Sequence, residues 1–200
     1  MSSIHGSARP RPVWFFPEYE PVGIDLGSRA AVAVYDRNQD TGPDADDALL
    51  DRLGGTAGSR LVDLACGTGS LVVQAARRGA EAHGVDVSAE MLAFAEARAR
   101  RHGVAPRWHR AGFLDYAHRA GPADVVTTKS ALHQLPGFWK QQALRDTAAL
   151  LRPGGTFYLY DVVFSFAPDA ADTHLQRWID TAERPEGEGF THAEYHCRRR

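Results

Sequence analysis

"LVDLACGTGS" (residues 61–70) is an apolar run that breaks sharply into Gly67-Thr68-Gly69. So short a run, bounded by a glycine turn, reads as a buried strand, and "RLVDLA" (60–65) is its extent. The following "SLVVQAARRG" (70–79) reads as a helix stopped by Gly79. A strand that turns through Gly-x-Gly into a helix brings backbone close to whatever sits beyond the strand, because no Cβ stands in the way.

The same rhythm repeats outward. "EAHGVDV" (81–87) reads as a second strand, and "SAEMLAFAEARARRHG" (88–103) as a helix capped by Ser88 and ended by Gly103. A third strand lies within 105–113 and a fourth is "ADVVTTK" (123–129). "FWKQQALRDTAALLRPGG" reads as a helix with Leu144, Ala148 and Leu151 on its apolar stripe, terminated by Pro153-Gly154-Gly155. "TFYLYDVVF" (156–164) is the fifth strand. Strands alternating with helices predict an α/β fold: a doubly wound, Rossmann-like, mostly parallel sheet with helices on both faces. Before the sheet, "GPDADDALLDRLGG" (42–55) predicts a short helix capped by Asp44 or Asp46. Residues 1–30 read as an extended arm, 31–164 as the core, and 165–200 as a C-terminal helix (168–183) and tail. The arm carries Trp14, Phe15 and Phe16, and two readings stand open: disorder, or a lid folded over a pocket.

Bulk properties narrow the partners. The chain is 44% hydrophobic and 24% charged with a net charge of −2, so no global basic field points to nucleic acid. No apolar stretch reaches the ~20 residues of a membrane span. Two cysteines, Cys66 and Cys197, make no disulfide framework, and a cytoplasmic setting is expected. Cys66 reads as a small packing residue. His192, His196 and Cys197 lie on a polar tail without a complete ligand set, so no metal is expected.

In such a sheet the ligand lies beyond the carboxyl ends of the strands, where strand order reverses. The dinucleotide pattern G-x-G-x-x-G/A fails at Val72, and Asp63 at the end of the first strand suits an ammonium group better than a pyrophosphate. Asp86 falls about 20 residues after Gly67, where an acid accepts from ribose hydroxyls. A ribose and a cationic tail without phosphates describe S-adenosyl-L-methionine. Each feature also has a purely structural reading: the glycines as a tight turn, Asp86 as a helix cap.

With "VDLACGTG", "GVDVSAEML", "ADVVTTKSALHQLPGF" and "LLRPGGTFYLYD" in order, the sequence resembles the class I S-adenosylmethionine-dependent methyltransferases of small-molecule type. The resemblance implies methyl transfer to a small-molecule acceptor. It implies that Asp63 faces the ammonium side of the methionine moiety and that Ala65, Gly67 and Gly69 supply backbone contacts. Asp86 would bind the ribose, Val87 and Met91 would pack on the adenine, and backbone at Gly112 and Phe113 would meet the base. The family's acid after the third strand is displaced here to Asp115. Thr128, Lys129 and the residues up to His133 would lie under the methionine and near the acceptor, with His133 the candidate general base. Tyr35, in "VAVYDRNQ", resembles the tyrosine that closes over this cofactor.

The family also implies two further strands, forming a hairpin beside the fifth. After the 168–183 helix, "FTHAEYHCRRR" has no alternating apolar run. The expectation is therefore an uncovered fifth-strand edge and a homo-oligomer through it. Two other readings follow: a degenerate, non-catalytic cofactor-binding protein, and an NAD-dependent oxidoreductase, which Val72 and Asp63 disfavour.

Overall fold

The computed structural model describes residues 12–20, 29–37, 42–162 and 165–181. The tail residues His192, His196 and Cys197, and Phe164 of the expected fifth strand, lie outside the described residues. The elements are α1 (Arg29–Arg37), α2 (Pro43–Leu53), β1 (Arg60–Leu64), α3 (Ser70–Arg77), β2 (Glu81–Asp86), α4 (Ala89–Arg101), β3 (Arg107–Arg110), β4 (Ala123–Lys129), α5 (Gly137–Leu150), β5 (Leu151–Tyr160) and α6 (Ala171–Thr181). The five strands run parallel in the order β3-β2-β1-β4-β5. Strand order reverses between β1 and β4, and that is where a crevice opens.

Strand alternation divides the core in two. Leu61, Ala82 and Val125 pack with Leu50 of α2 and Leu71, Val72 and Ala75 of α3. Val62, Leu64, Val85 and Val126 face the other side, against Leu150 of α5, Phe113 and Tyr116. Trp108 of β3 reaches the first layer. A Cβ at Gly69 would fall 2.7 Å from both Ala95 and the Trp108 ring, and one at Gly84 would strike the same ring. These two glycines let the indole slide beneath the turn.

Several local expectations hold, and three are corrected. Ser88 caps α4, its hydroxyl accepting from Met91 N–H at 3.2 Å. The cap of α2 is Gly42, whereas Asp44 and Asp46 sit in the first turn; Asp46 is buried and serves another purpose, below. The inward face of α5 is Ala143 and Thr147, whereas Leu144 is exposed. Small side chains bring that helix close to the sheet, and the larger leucine is turned outward. Helix α5 ends at Leu150, and "RPGG" belongs to β5 as a bulge: Ala123 pairs with Leu151 but Val125 with Thr156, with Gly154 at φ 75°.

The arm is docked. Phe16 packs with Leu132, Leu135 and Phe113, and Trp14 stacks on Trp139 of α5 with ring centroids 6.4 Å apart. For residues 12–20 the structure takes the folded-over reading, because these rings find apolar partners at the start of α5 and Phe16 lines the cavity described below.

Candidate functional site

A cavity of about 400 Å3 lies at the carboxyl ends of β1, β2 and β4, and a smaller one of about 60 Å3 continues from it beneath the glycine turn. The larger volume falls within the range of small-molecule and cofactor sites. Two non-glycine residues with left-handed backbone flank the crevice: Ala65 (φ 57°) after β1 and Ser130 (φ 53°) after β4. Both line the two cavities. Such backbone is costly and concentrates where a ligand must be approached.

Asp86 organises the turn. Its Oδ2 accepts from Gly67 N–H at 2.9 Å and its Oδ1 from Ser88 N–H at 2.8 Å. Burial pushes its carboxyl above the usual range, opposed by the N–H groups of Ser88 and Gly67. The ring of Tyr35 lies over Gly67, where an added Cβ would be 3.7 Å from it. Helix α1 is held there by Arg98 of α4. Its guanidinium donates to both Asp36 carboxylate oxygens, at 2.7 and 2.9 Å, and to the Thr68 carbonyl at 3.0 Å.

Beneath the turn, Asp63 lines the smaller cavity. Cross-strand pairing sets it beside Thr127, whose hydroxyl donates to Asp63 at 2.6 Å. Burial pushes the Asp63 carboxyl up to about 6, although Thr127 and Lys129 pull it down. Lys129 Nζ lies 3.4 Å from Asp46 Oδ1, and Asp46 Oδ2 accepts from Ser70 at 2.6 Å. A carboxylate that is costly to ionise when isolated is suited to receive a cation. Burial also raises the Cys66 thiol, and its side chain packs against the core layer beneath α3.

The structure brings Tyr35, Ala65, Gly67, Asp86, Val87, Met91, Gly112, Phe113 and Lys129 to the larger cavity. Asp63 borders the smaller one. Three other residues are placed elsewhere. Gly69 lies outside both linings, because its left-handed backbone starts α3 and packs on Trp108. Thr128 alternates to the opposite sheet face from Thr127; it is fully buried, and its hydroxyl has no hydrogen-bond partner among the described residues. His133 also lies outside the linings: its Nδ1 is 2.6 Å from Asp161 and its N–H donates to the same carboxylate at 2.9 Å, while Gln134 and Leu135 face the cavity.

Sequence reasoning missed Glu18, Tyr19, Asp46, Thr127 and the Arg98–Asp36 tie. For Thr127 there was a signal, since it shares the strand period with Lys129. Glu18 had none, lying in a segment without period. Among the described residues no group of three His, Cys, Asp or Glu side chains could hold a metal ion, and no helix is long and apolar enough to cross a membrane.

The family described as "Methyltransferase domain" matches residues 61–155. A ubiquinone biosynthesis O-methyltransferase of Cupriavidus pinatubonensis is 32% identical over 149 residues, covering 72% of this chain and 59% of the relative. One from Sodalis glossinidius is 35% identical over 113 residues, covering 56% of this chain and 45% of the relative. The chain thus spans about half the length of the curated relatives it matches. Among solved structures, the CcbJ methyltransferase from Streptomyces caelestis superposes with a TM-score of 0.56 at 28% identity, covering 64% of this chain and 54% of the other. An S-adenosylmethionine-dependent methyltransferase from Clostridium acetobutylicum superposes with a TM-score of 0.55 at 22% identity, covering 63% and 54%, a likeness of fold.

Proposed function

Since the chain belongs to the class I S-adenosylmethionine-dependent methyltransferases, we propose that it binds S-adenosyl-L-methionine in the carboxyl-end cavity and transfers its methyl group to a small-molecule acceptor. The observation that carries this reading is the placement of Asp86 and Asp63 on two sides of one glycine turn: one on the larger cavity, the other on the smaller. The residues fit the group. Asp86 presents a buried carboxylate for ribose hydroxyls, Val87 and Met91 offer an apolar wall for a base, and Asp63 matches an ammonium. A side chain at Gly67 would project toward Tyr35 and intrude on that cradle.

Bound there, the cofactor supplies an electrophilic methyl group on sulfur. The chain's own work is alignment, which by itself accounts for a large share of the rate in such displacements. Tyr35 and the arm residues Phe16, Glu18 and Tyr19 line the cavity, where they would border the bound cofactor. His133 enters the proposal through Asp161, which fixes its ring beside the cavity-facing Gln134. Replacement by alanine tests it, and a general-base role requires a loss of turnover of about 100-fold or more. The relatives' names are those of O-methyltransferases, so an acceptor hydroxyl is the first class to assay.

The same proposal includes the division into arm, core and tail, a cytoplasmic setting, and a homo-oligomer through β5. That strand exposes Leu159 (43%) and Tyr160 (60%), and light scattering reads the oligomer directly. Calorimetry with S-adenosylmethionine, S-adenosylhomocysteine and NAD tests the cofactor, and NAD binding in place of the first two overturns it. A methyl-transfer assay against hydroxylated small molecules then tests turnover. Cofactor binding without transfer to any acceptor would favour the non-catalytic reading.

A further inference from the structure

We infer that Glu18, from the N-terminal arm, is the carboxylate that recognises the base of the bound nucleoside and selects a 6-amino over a 6-oxo purine. The inference rests on the cofactor reading above and adds a residue to it. Three observations carry it.

The Glu18 carboxylate is built into the wall at the exit of β3. Its Oε1 accepts from Phe113 N–H at 2.8 Å and its Oε2 from Leu114 N–H at 3.0 Å. Its place depends on the missing side chain of Gly112, where a Cβ would fall 2.5 Å from the Glu18 carboxyl carbon. The group also borders the larger cavity, whose lining includes Gly112, Phe113, Val87 and Met91. A carboxylate accepts at about four positions, so a group held by backbone N–H donors at the edge of a cavity can also meet a ligand donor.

The acid that the chain itself carries after β3 is committed elsewhere. Asp115 Oδ1 accepts from Gly112 N–H at 2.5 Å, its Oδ2 accepts from the Tyr19 hydroxyl at 2.6 Å, and the residue is absent from the cavity lining. Asp115 therefore positions the turn and the arm, and Glu18 meets the ligand. An exocyclic amino group would donate to Glu18. A keto oxygen at the same place would face a carboxylate and leave both acceptors without a proton, a mismatch that costs far more than a lost contact.

The test compares S-adenosylhomocysteine with its 6-oxo counterpart, S-inosylhomocysteine, by calorimetry on the full chain, with circular dichroism confirming the fold of each variant. The wild-type protein should bind the adenosyl compound at least tenfold more tightly. Glu18→Ala should weaken adenosyl binding by about tenfold and bring the two ligands within about twofold of each other. Gly112→Ala, which evicts the carboxylate while keeping it in the chain, should do the same. Tyr19→Phe breaks the arm's tie to Asp115 and keeps the carboxylate; it should weaken both ligands alike and preserve the ratio. Retained discrimination in Glu18→Ala overturns the inference and leaves the cofactor reading standing. Tighter adenosyl binding in that variant also overturns it, showing that Glu18 competes with the ligand for the Phe113 and Leu114 N–H groups. Failure of the wild-type protein to bind either compound overturns both readings.

Discussion

Two groups of polar side chains lie on opposite faces of the sheet, and burial raises the Asp63 and Asp86 carboxyls on one while it lowers the three histidines on the other. On the face covered by α3 and α4, at the carboxyl ends, lie Asp86, Asp63 and Asp46 with Lys129. On the other face His83 stacks on His109 with ring centroids 5.3 Å apart, and His118 meets it edge-on at 4.7 Å. Burial pushes Asp63 up to about 6 and His83 down to about 4. The cause is the same, since each charged form is poorly solvated. The surroundings differ. Asp86 and Asp63 border cavities and are fastened by turn N–H groups and a threonine, while Asp46 holds the lysine beside them. The histidines close on one another, His83 Nδ1 lying 3.1 Å from His109 Nε2, and none of them lines the cavity. A perturbed titration marks burial; it marks a binding site only where the group also opens onto a ligand-sized space.

That contrast can be broken most directly at Asp86. Asp86→Ala strands the buried N–H groups of Gly67 and Ser88 and removes the proposed ribose acceptor. We expect loss of S-adenosylhomocysteine affinity of ~1.5–3 kcal/mol by calorimetry, together with a lower melting temperature. Unchanged affinity with normal circular dichroism would place the carboxylates with the histidines, as structural groups.

Asp63→Asn should separate function from stability. With its pKa raised, Asp63 favours the folded state below the unfolded value near 3.8, and that advantage is lost as pH rises through about 6. At neutral pH the ionised group is a burden of up to about 3 kcal/mol. The variant should melt higher than wild type at pH 7.5 and bind the cofactor product more weakly. Higher melting with undiminished affinity would remove Asp63 from the site.

The histidine cluster should show the opposite dependence and no ligand effect. Its pKa values are depressed, so the unfolded chain binds more protons, and stability falls as pH drops from about 6.5 toward 4. In an Asp63→Asn background, which removes the opposing carboxyl, melting curves at pH 7.5 and 5 should differ by several degrees, at about 2–4 °C per kcal/mol. His83→Phe should flatten that difference and leave ligand affinity at pH 7.5 within about twofold of wild type. An affinity change comparable with that of Asp63→Asn would make the two clusters one functional unit.

The smallest effect expected is in the ligand affinity of the wild-type protein itself. A cation at Asp63 needs the ionised carboxylate, so affinity should rise about twofold between pH 6 and 7.5. Asp63→Asn should abolish that slope, and a slope surviving in the variant would assign it to another group.

Much of the cavity's frame was legible because it is local. Gly67 follows β1 within a few residues, Asp86 ends β2, and Ser88 caps the helix that carries Met91. Short apolar runs, glycine stops and capping residues are encoded over spans of a few residues, and parallel topology follows from their alternation. The stripe assigned to α5 failed for a different reason. Its periodicity admits two faces, and close packing on the sheet selects the small residues Ala143 and Thr147 over Leu144.

The sequence by itself determined the alternating sheet, the glycine turn and the two acids that point to a ribose and a cation, since each is written in contiguous residues. Tertiary structure alone decided which side chains surround them. Glu18 reaches Phe113 across 95 residues, Arg98 reaches Asp36 across 62, and Lys129 reaches Asp46 across 83. It also decided that Gly69 serves the packing of Trp108 and that His133 is held by Asp161. Such pairs carry no local period. They exist only once the strands are in register and the loops close, when a buried polar group must find its partner or be left unsatisfied.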